Sequence, residues 1–248
     1  AHEQWSPGCS NGCGASRLFV PMKSVPVMHG TRRSFRLLLP PLLFALWDRM
    51  RQKRAESRKE ESGARPVMFD GEGEIFVRAV RESTSYAEYG VGLSTRYVIE
   101  ETTCSIRSVD TSLKWIEKVL ADVEVGPRLV VEHVDLGPVE EWGRPVGYER
   151  RHLIDDYLDS PFRSGFRPDC VLIDGRFRVA AFLSALLKSD AGTRIVFDDY
   201  VDRRHYHVVE EILLPSESSQ RQALFVVPTD FNREAAIRLR QDFRHVMD

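Results

Sequence analysis

One short segment of the chain combines glycine, hydroxyl and acidic residues at a spacing that suits cofactor binding. Residues 88–95 read Glu-Tyr-Gly-Val-Gly-Leu-Ser-Thr, and glycines let the backbone of a turn approach a ligand closely. Asp110 follows Gly90 by 20 residues, at the end of the next predicted strand. A carboxylate in that place can accept hydrogen bonds from both hydroxyls of a ribose. The segment therefore predicts a nucleoside cofactor.

Two cofactors carry such a nucleoside: NAD(P) and S-adenosylmethionine. Thr95 stands where the dinucleotide fingerprint has its third glycine, so no pyrophosphate-binding pattern is complete. Glu88 would lie close to a pyrophosphate and repel it, whereas it would attract the ammonium and sulfonium groups of S-adenosylmethionine. We therefore expect S-adenosylmethionine and keep NAD(P) as the alternative.

Acidic residues also follow later predicted strands, and three of them could act together. Asp174, Asp198 and Asp199 come after two strands whose ends meet at one edge of a parallel sheet. They could bind Mg²⁺, and Asp174 and Asp199 could serve in removing a proton from an acceptor. The alternative is that Asp174 caps a helix and Asp198 bonds to the backbone.

Three further groups of side chains are candidates for work on the acceptor side. Arg176 and Arg178 could clamp a carboxylate or phosphate, or they could neutralise the three aspartates. His205 could be a general base beside Asp199, against the alternative of a surface or packing role. Trp142 begins an aromatic and charged segment, residues 142–166, and could stack on a planar substrate or simply cover the edge of the sheet.

The elements that must position these residues alternate between strands and helices. Apolar runs predict strands over residues 86–89, 105–109, 129–134, 170–173, 194–197 and 223–227. Helical periodicity predicts helices over residues 72–83, 95–103, 113–123, 150–159, 179–187, 206–213 and 233–246. Short strands separated by helices favour a mainly parallel α/β sheet that is covered on both faces and binds ligands beyond the carboxyl ends of its strands.

Several motifs occur in a recognisable order along the chain. They are the turn at 88–95, Ser-Val-Asp at 108–110, His-Val-Asp-Leu-Gly at 133–137, Trp-Gly at 142–143, Val-Leu-Ile-Asp-Gly-Arg-Phe-Arg-Val-Ala at 171–180 and Phe-Asp-Asp-Tyr at 197–200. Together they resemble a bacterial family with the class I S-adenosylmethionine-dependent methyltransferase fold. The resemblance covers about residues 66–228. The run at 174–178 is distinctive for the family, whereas the glycine turn is generic to the fold.

This resemblance implies a fold and a set of cofactor contacts. The fold is a Rossmann-like sandwich around a seven-stranded, mainly parallel sheet whose last strand, 223–227, is antiparallel. Glu88, Gly90 and Gly92 would lie near the methionine part of the cofactor, with Ser94 in place of a third glycine. The resemblance also implies Asp110 at the ribose and Asp135 near the adenine.

The functional expectation is methyl transfer to an oxygen or nitrogen of a small molecule. Such a transfer mainly needs an acceptor that is held in line and loses its proton. One alternative is a non-catalytic nucleoside-binding module. Another is a sugar-nucleotide enzyme of surface-polysaccharide metabolism, in which Asp198 and Asp199 would hold a metal-bound diphosphate.

Charge divides the chain into a basic extension and an acidic body. Residues 1–65 hold 12 Lys/Arg and 5 Asp/Glu, a net +7, whereas residues 66–248 hold 23 and 32, a net −9. The extension is predicted to be partly disordered, and its apolar segment at 37–47 could pack on the body, contact a membrane surface or serve in targeting. The acidic body, 66–248, argues against a nucleic-acid partner, and the four cysteines form no disulfide framework. We therefore expect a cytoplasmic protein, with peripheral membrane contact as an alternative.

Overall fold

The computed structural model of the protein describes residues 68–69 and 73–247. The predicted basic extension, 1–65, with its apolar segment at 37–47, lies outside the described residues. Membrane contact through that segment therefore stays a prediction. Among the described residues, no helix has both the length and the apolar character that crossing a bilayer requires.

Seven strands form a single sheet in the described part of the chain. They are β1 (Ser85–Tyr89), β2 (Ser105–Asp110), β3 (Leu129–His133), β4 (Cys170–Ile173), β5 (Arg194–Phe197), β6 (Glu217–Ser218) and β7 (Ala223–Val226). Their order across the sheet is β3-β2-β1-β4-β5-β7-β6. Strands β1 to β5 pair in parallel, and β7 pairs antiparallel with both β5 and β6. The predicted seven-stranded, mainly parallel sheet with an antiparallel last strand is confirmed.

Six α-helices accompany these strands in the described residues: α1 (Glu74–Arg81), α2 (Leu93–Glu101), α3 (Leu113–Leu120), α4 (Ile154–Asp159), α5 (Arg178–Lys188) and α6 (Arg233–Phe243). Two predicted helices differ from the structure. The predicted helix at 206–213 is a 3₁₀ helix, Arg204–Glu211, and the predicted helix at 150–159 divides into a 3₁₀ turn, Arg151–Leu153, followed by α4. Two further 3₁₀ segments lie at Glu141–Gly143 and Ser160–Gly165.

The core lies on both faces of the sheet, as its apolar strands require. All four residues of β4 are buried, and alternate residues join different clusters. Val171 and Ile173 pack with the buried side of α5, while Leu172 packs with residues of α1 and α2. Burial on both faces leaves the carboxyl ends of β1, β2, β4 and β5 as the edge at which polar side chains gather.

Candidate active site

The turns after β1 and β4 pack directly against each other. Gly90 has a φ of +96°, and a Cβ atom placed on it would lie 2.8 Å from the carbonyl oxygen of Asp174. A Cβ atom on Gly175 would in turn lie 2.8 Å from the backbone nitrogen of Gly90. Glycine at both positions therefore lets the two backbones touch, which fixes the glycine turn (residues 90–92) beside Asp174.

Glu88 lies beneath the glycine turn and is completely buried. Its carboxylate accepts hydrogen bonds from four hydroxyl groups: Tyr86 at 2.7 Å, Ser94 at 3.1 Å, Thr95 at 2.5 Å and Ser108 at 2.6 Å. Burial raises the pKa of Glu88, and the hydroxyl donors oppose this rise. A carboxylate has about four acceptor positions, so this set occupies the group. In this geometry Glu88 supports the glycine turn from within the core. The predicted direct contacts of Glu88 and Ser94 with a cofactor stay predictions.

The support reaches the start of α2 through Thr95. Its hydroxyl donates to Glu88 and accepts the backbone N–H of Gly92 at 2.8 Å, which completes the cap of the helix. In contrast to Gly90, Gly92 faces open space. A Cβ atom on it would meet only the hydroxyl oxygen of Ser94, at 4.0 Å. The backbone at Gly92 can therefore be approached by a ligand.

Asp110 ends β2 beside the glycine turn. Its carboxylate accepts the backbone N–H of Val91 at 2.9 Å and that of Ser112 at 2.8 Å. The residue is 8% exposed, and burial raises the pKa of its carboxyl group while these backbone donors lower it. The backbone N–H of Thr111 also lowers this pKa, so backbone donors occupy a large part, but not all, of the roughly four acceptor positions of the carboxylate. Asp110 thus has the chemistry to accept ribose hydroxyls, and the set of Gly92 and Asp110 fits the nucleoside of S-adenosylmethionine.

A loop over residues 137–147 lies against the end of β2. The hydroxyl of Thr111 donates to the carbonyl oxygen of Gly143 at 2.5 Å, and Val139 pairs with Pro145 across the loop. Trp142 has a φ of +62° and is 71% exposed, which is an unusual backbone conformation for a large residue. Trp142 lies near the carboxyl end of β2, on the side of the sheet edge that holds Asp110. Its predicted stacking on a substrate stays a prediction.

Asp135 lies further out along the same edge. Its carboxylate accepts the backbone N–H of Gly137 at 3.0 Å and forms an ion pair with Arg150. These partners lower the pKa of Asp135, with the backbone donor contributing most. Its predicted place beside the adenine stays a prediction.

The structure brings together the carboxylates of Asp174, Asp198 and Asp199, here called the acidic cluster. Their ligand-type oxygen atoms lie within 4.8 Å of one another. Burial raises the pKa of Asp174 to about 7, with the other two aspartates adding to the rise and Arg178 opposing it. Asp199 has a φ of +57°, so its backbone is held in the left-handed region.

Arginine side chains surround the acidic cluster and contact its carboxylate oxygens. Arg178 is buried and forms ion pairs with Asp174 and Asp199 at 3.0 and 3.2 Å, while Arg221 contacts Asp198 and Asp199. These N–H groups occupy both oxygens of Asp198 and Asp199 and one oxygen of Asp174, the atoms that a divalent cation would need as ligands. The residues therefore do not fit the predicted Mg²⁺ site, and we derive no step from a metal ion. For Arg178, the geometry favours the predicted neutralising role over substrate binding.

The two remaining predicted site residues, Arg176 and His205, lie after the carboxyl ends of β4 and β5. The backbone N–H of Arg176 donates to the hydroxyl of Tyr157 at 3.0 Å, and its side chain is partly exposed. His205 is exposed, with its ring 4.2 Å from that of Tyr206. Their predicted roles, an acceptor clamp and a general base, stay predictions.

Sequence reasoning missed Arg203, Arg221 and Gln222 around the acidic cluster. Arg221 and Gln222 belong to the turn between β6 and β7, and both donate to Asp198. Neither residue forms part of a periodic pattern. The only signal in the sequence was the Asp198-Asp199 pair itself, because neighbouring carboxylates require positive partners once one of them is buried, as Asp198 is.

Comparison with solved structures places the chain in a family. A methyltransferase-like protein from Silicibacter pomeroyi is 31% identical, with a TM-score of 0.60 over 72% of this chain and 99% of that chain. A putative O-methyltransferase from Klebsiella pneumoniae is 18% identical, with a TM-score of 0.39 over 84% of this chain and 80% of that one. The N-methyltransferase NodS from Bradyrhizobium japonicum, in complex with S-adenosyl-L-homocysteine, is 14% identical, with a TM-score of 0.42 over 69% and 96%. No protein-family model and no curated protein matches the chain.

The first of these likenesses covers nearly all of the related protein at more than 30% identity. The chain therefore belongs to the family of methyltransferase-like proteins with the class I methyltransferase fold. The other two likenesses have TM-scores below 0.5 and carry no argument about this chain. The resemblance inferred from the sequence motifs is confirmed at the level of this fold.

Proposed function

We propose that the protein is an S-adenosylmethionine-dependent methyltransferase that acts on an oxygen or nitrogen atom of a small molecule. One observation carries the proposal: the open backbone at Gly92 and the carboxylate of Asp110, which accepts the N–H of the adjoining Val91, lie at the carboxyl ends of β1 and β2. Membership of the methyltransferase-like family supports this assignment. In such a reaction the bound cofactor supplies an already activated methyl group.

The chain's own residues must then hold the cofactor and the acceptor. Gly92 gives the cofactor access to the backbone, Asp110 accepts its ribose hydroxyls, and Glu88 keeps the glycine turn in place through Thr95. Asp135, Trp142 and Arg176 are the candidates for contacts further along the edge. The acidic body, with a net charge of −9 over residues 66–248, favours a small acceptor over a nucleic acid.

Asp174 is the best placed group to take a proton from the acceptor. It lies beside the glycine turn, its side chain is 29% exposed, and a pKa of about 7 suits a general base at neutral pH. Asp199 is held by Arg178, Arg203 and Arg221, so we assign it to the orientation of its neighbours. His205 is the second candidate for a base, since it is exposed.

The sugar-nucleotide alternative is less well supported. It needs Asp198 and Asp199 to hold a metal-bound diphosphate, but both carboxylates pair with arginines. No second nucleotide-binding half occurs in the sequence. The non-catalytic alternative remains distinguishable by experiment.

The test measures formation of S-adenosylhomocysteine by the full-length protein. The protein is incubated with S-adenosylmethionine and pools of small hydroxyl and amine compounds, and the product is quantified by mass spectrometry. We expect turnover with at least one pool. The turnover rate should fall about 10²–10⁴-fold in Asp174→Asn. It should be unchanged in Asp190→Asn, because Asp190 is an exposed aspartate that follows α5. Cofactor binding without turnover in any pool would support the non-catalytic alternative.

A further inference from the structure

Every carboxylate oxygen of Asp198 and Asp199 lies within hydrogen-bond or ion-pair distance of a side-chain nitrogen. Arg221 contacts both oxygens of Asp198, with its Nε at 2.9 Å from Oδ1 and its Nη2 at 2.6 Å from Oδ2. Gln222 donates to the same Oδ1 at 3.1 Å. Arg221 Nη2 also lies 2.9 Å from Asp199 Oδ1, and Arg178 Nη1 lies 3.2 Å from Asp199 Oδ2.

Two further contacts balance the charge of the acidic cluster. Arg178 Nη2 lies 3.0 Å from Asp174 Oδ1, and Arg203 Nη2 lies 2.7 Å from Asp199 Oδ2. Three guanidinium groups therefore face three carboxylates. Arg178 additionally donates to the carbonyl oxygens of Gly175 at 3.1 Å and Asp198 at 2.8 Å, which joins the turns after β4 and β5.

Arg221 reaches the cluster from a different part of the sheet. It lies in the turn between β6 and β7, and its carbonyl oxygen accepts the backbone N–H of Tyr200 at 2.9 Å. Its neighbour Gln222 accepts the backbone N–H of Phe76, at the start of α1, at 3.2 Å. The side chain and backbone of Arg221 thus hold the turn after β5 against the antiparallel end of the sheet.

We propose that Arg221 is the resident cation of the acidic cluster and performs the positioning that a divalent ion would perform between the same carboxylates. A planar guanidinium group with several N–H donors can bridge two carboxylates, as a hard cation does with its coordination shell. Arg221 is a positioning residue in this account: it orders Asp198 and Asp199, and through Arg178 it orders Asp174. The proposal does not depend on the identity of the cofactor.

The test compares thermal unfolding of three full-length proteins in EDTA and in Mn²⁺. The unaltered protein should unfold at the same temperature in both. Arg221→Gln should unfold about 10 °C lower in EDTA, because a buried carboxylate loses its partner. Mn²⁺ should restore a large part of this loss in a saturable manner, since it can take the vacated place. Adding Asp198→Asn to this variant should abolish the response to Mn²⁺.

Arg240→Gln is the matched control. Arg240 is 19% exposed against 21% for Arg221, and it also contacts two aspartates, Asp155 and Asp159. We expect this variant to lose stability without any response to Mn²⁺. If Arg221→Gln is recovered unfolded, the same expectation applies to its folded yield after refolding with and without Mn²⁺.

Three results would overturn the proposal. The first is a saturable stabilisation of the unaltered protein by Mn²⁺, which would mean that the cluster binds metal with its arginines in place. The second is an Arg221→Gln variant as stable as the unaltered protein in EDTA. The third is an Arg221→Gln variant whose lost stability or refolding yield Mn²⁺ does not restore. A restoration no larger than that seen in Arg240→Gln would count in the same way.

Discussion

At the scale of single residues, Glu88 shows how a buried carboxylate can shape the turn that lies above it. Four hydroxyl groups enclose its carboxylate, and one of them, that of Thr95, also accepts the N–H of Gly92. The acid therefore determines the shape of the glycine turn from below. The sequence singled out this residue through its place two positions before the first glycine, and the predicted contact of Glu88 with the cofactor stays a prediction. The three-dimensional convergence of Tyr86, Ser94, Thr95 and Ser108 has no counterpart in local sequence.

The raised pKa of Glu88 leads to a prediction about stability and pH. Because burial places the folded-state pKa above that of the unfolded chain, the stabilising contribution of this group is complete below the unfolded-state pKa. It is lost as the pH rises through the folded-state pKa. The free energy of unfolding of the unaltered protein relative to Glu88→Gln should therefore fall as the pH rises above the ordinary glutamate pKa of about 4, by at most about 1.4 kcal/mol per pH unit. Denaturant unfolding of both proteins across this range measures the difference, and a constant difference would contradict the assignment.

A second prediction concerns Asp110. Replacing Asp110 with alanine removes a charged acceptor of the ribose hydroxyls, so S-adenosylhomocysteine should bind about 1–3 kcal/mol more weakly. Asp122→Ala is the control, because Asp122 is an exposed residue beyond the end of α3. Isothermal titration of the folded variants measures both affinities. Equal affinity in Asp110→Ala and the unaltered protein would remove Asp110 from the site.

At the scale of elements, the two glycines of the turn after β1 have different tasks. Gly90 allows the turn to touch the backbone that follows β4, and Gly92 leaves one face of the turn open. We expect Gly90→Ala to lower the free energy of unfolding by about 2 kcal/mol or more, because alanine must adopt a positive φ and meets the carbonyl of Asp174. Gly92→Ala should keep its stability and lose cofactor affinity, since its new methyl group occupies the open face. Unfolding and titration of the pair separate these tasks, and a stable Gly90→Ala with normal binding would refute the packing argument.

The elements also show what could be predicted from sequence. Strands β4 and β5 match the prediction residue for residue, because a buried parallel strand is a short, continuous apolar run. Strand β6 was missed because it has two exposed polar residues and pairs only through its backbone with β7. The helix predicted at 206–213 is the 3₁₀ helix Arg204–Glu211. Its buried Tyr206 and Val209 are three residues apart, a spacing that fits both helix types. Arg221 could not be assigned, because its partners lie more than twenty residues away in the chain.

At the scale of the whole molecule, the described elements supply a complete sheet with helices on its faces. All seven strands and six α-helices of the described part begin after residue 73, and their buried side chains form the core. We therefore expect deletion of residues 1–60 to change the melting temperature by only a few degrees, about the effect of 1 kcal/mol in a domain of this size. Thermal unfolding of the full-length and shortened chains measures this. A large fall would show that the apolar segment at 37–47 contributes to the core.

The central claim is that the edge formed by Gly92 and Asp110 binds S-adenosylmethionine. Isothermal titration of the full-length protein with S-adenosylmethionine, S-adenosylhomocysteine and NAD tests it most directly. We predict one site per chain for the first two ligands and no heat of binding with NAD, because Thr95 interrupts the dinucleotide pattern and the acid of Glu88 lies beneath the turn. Binding of NAD alone would contradict the account.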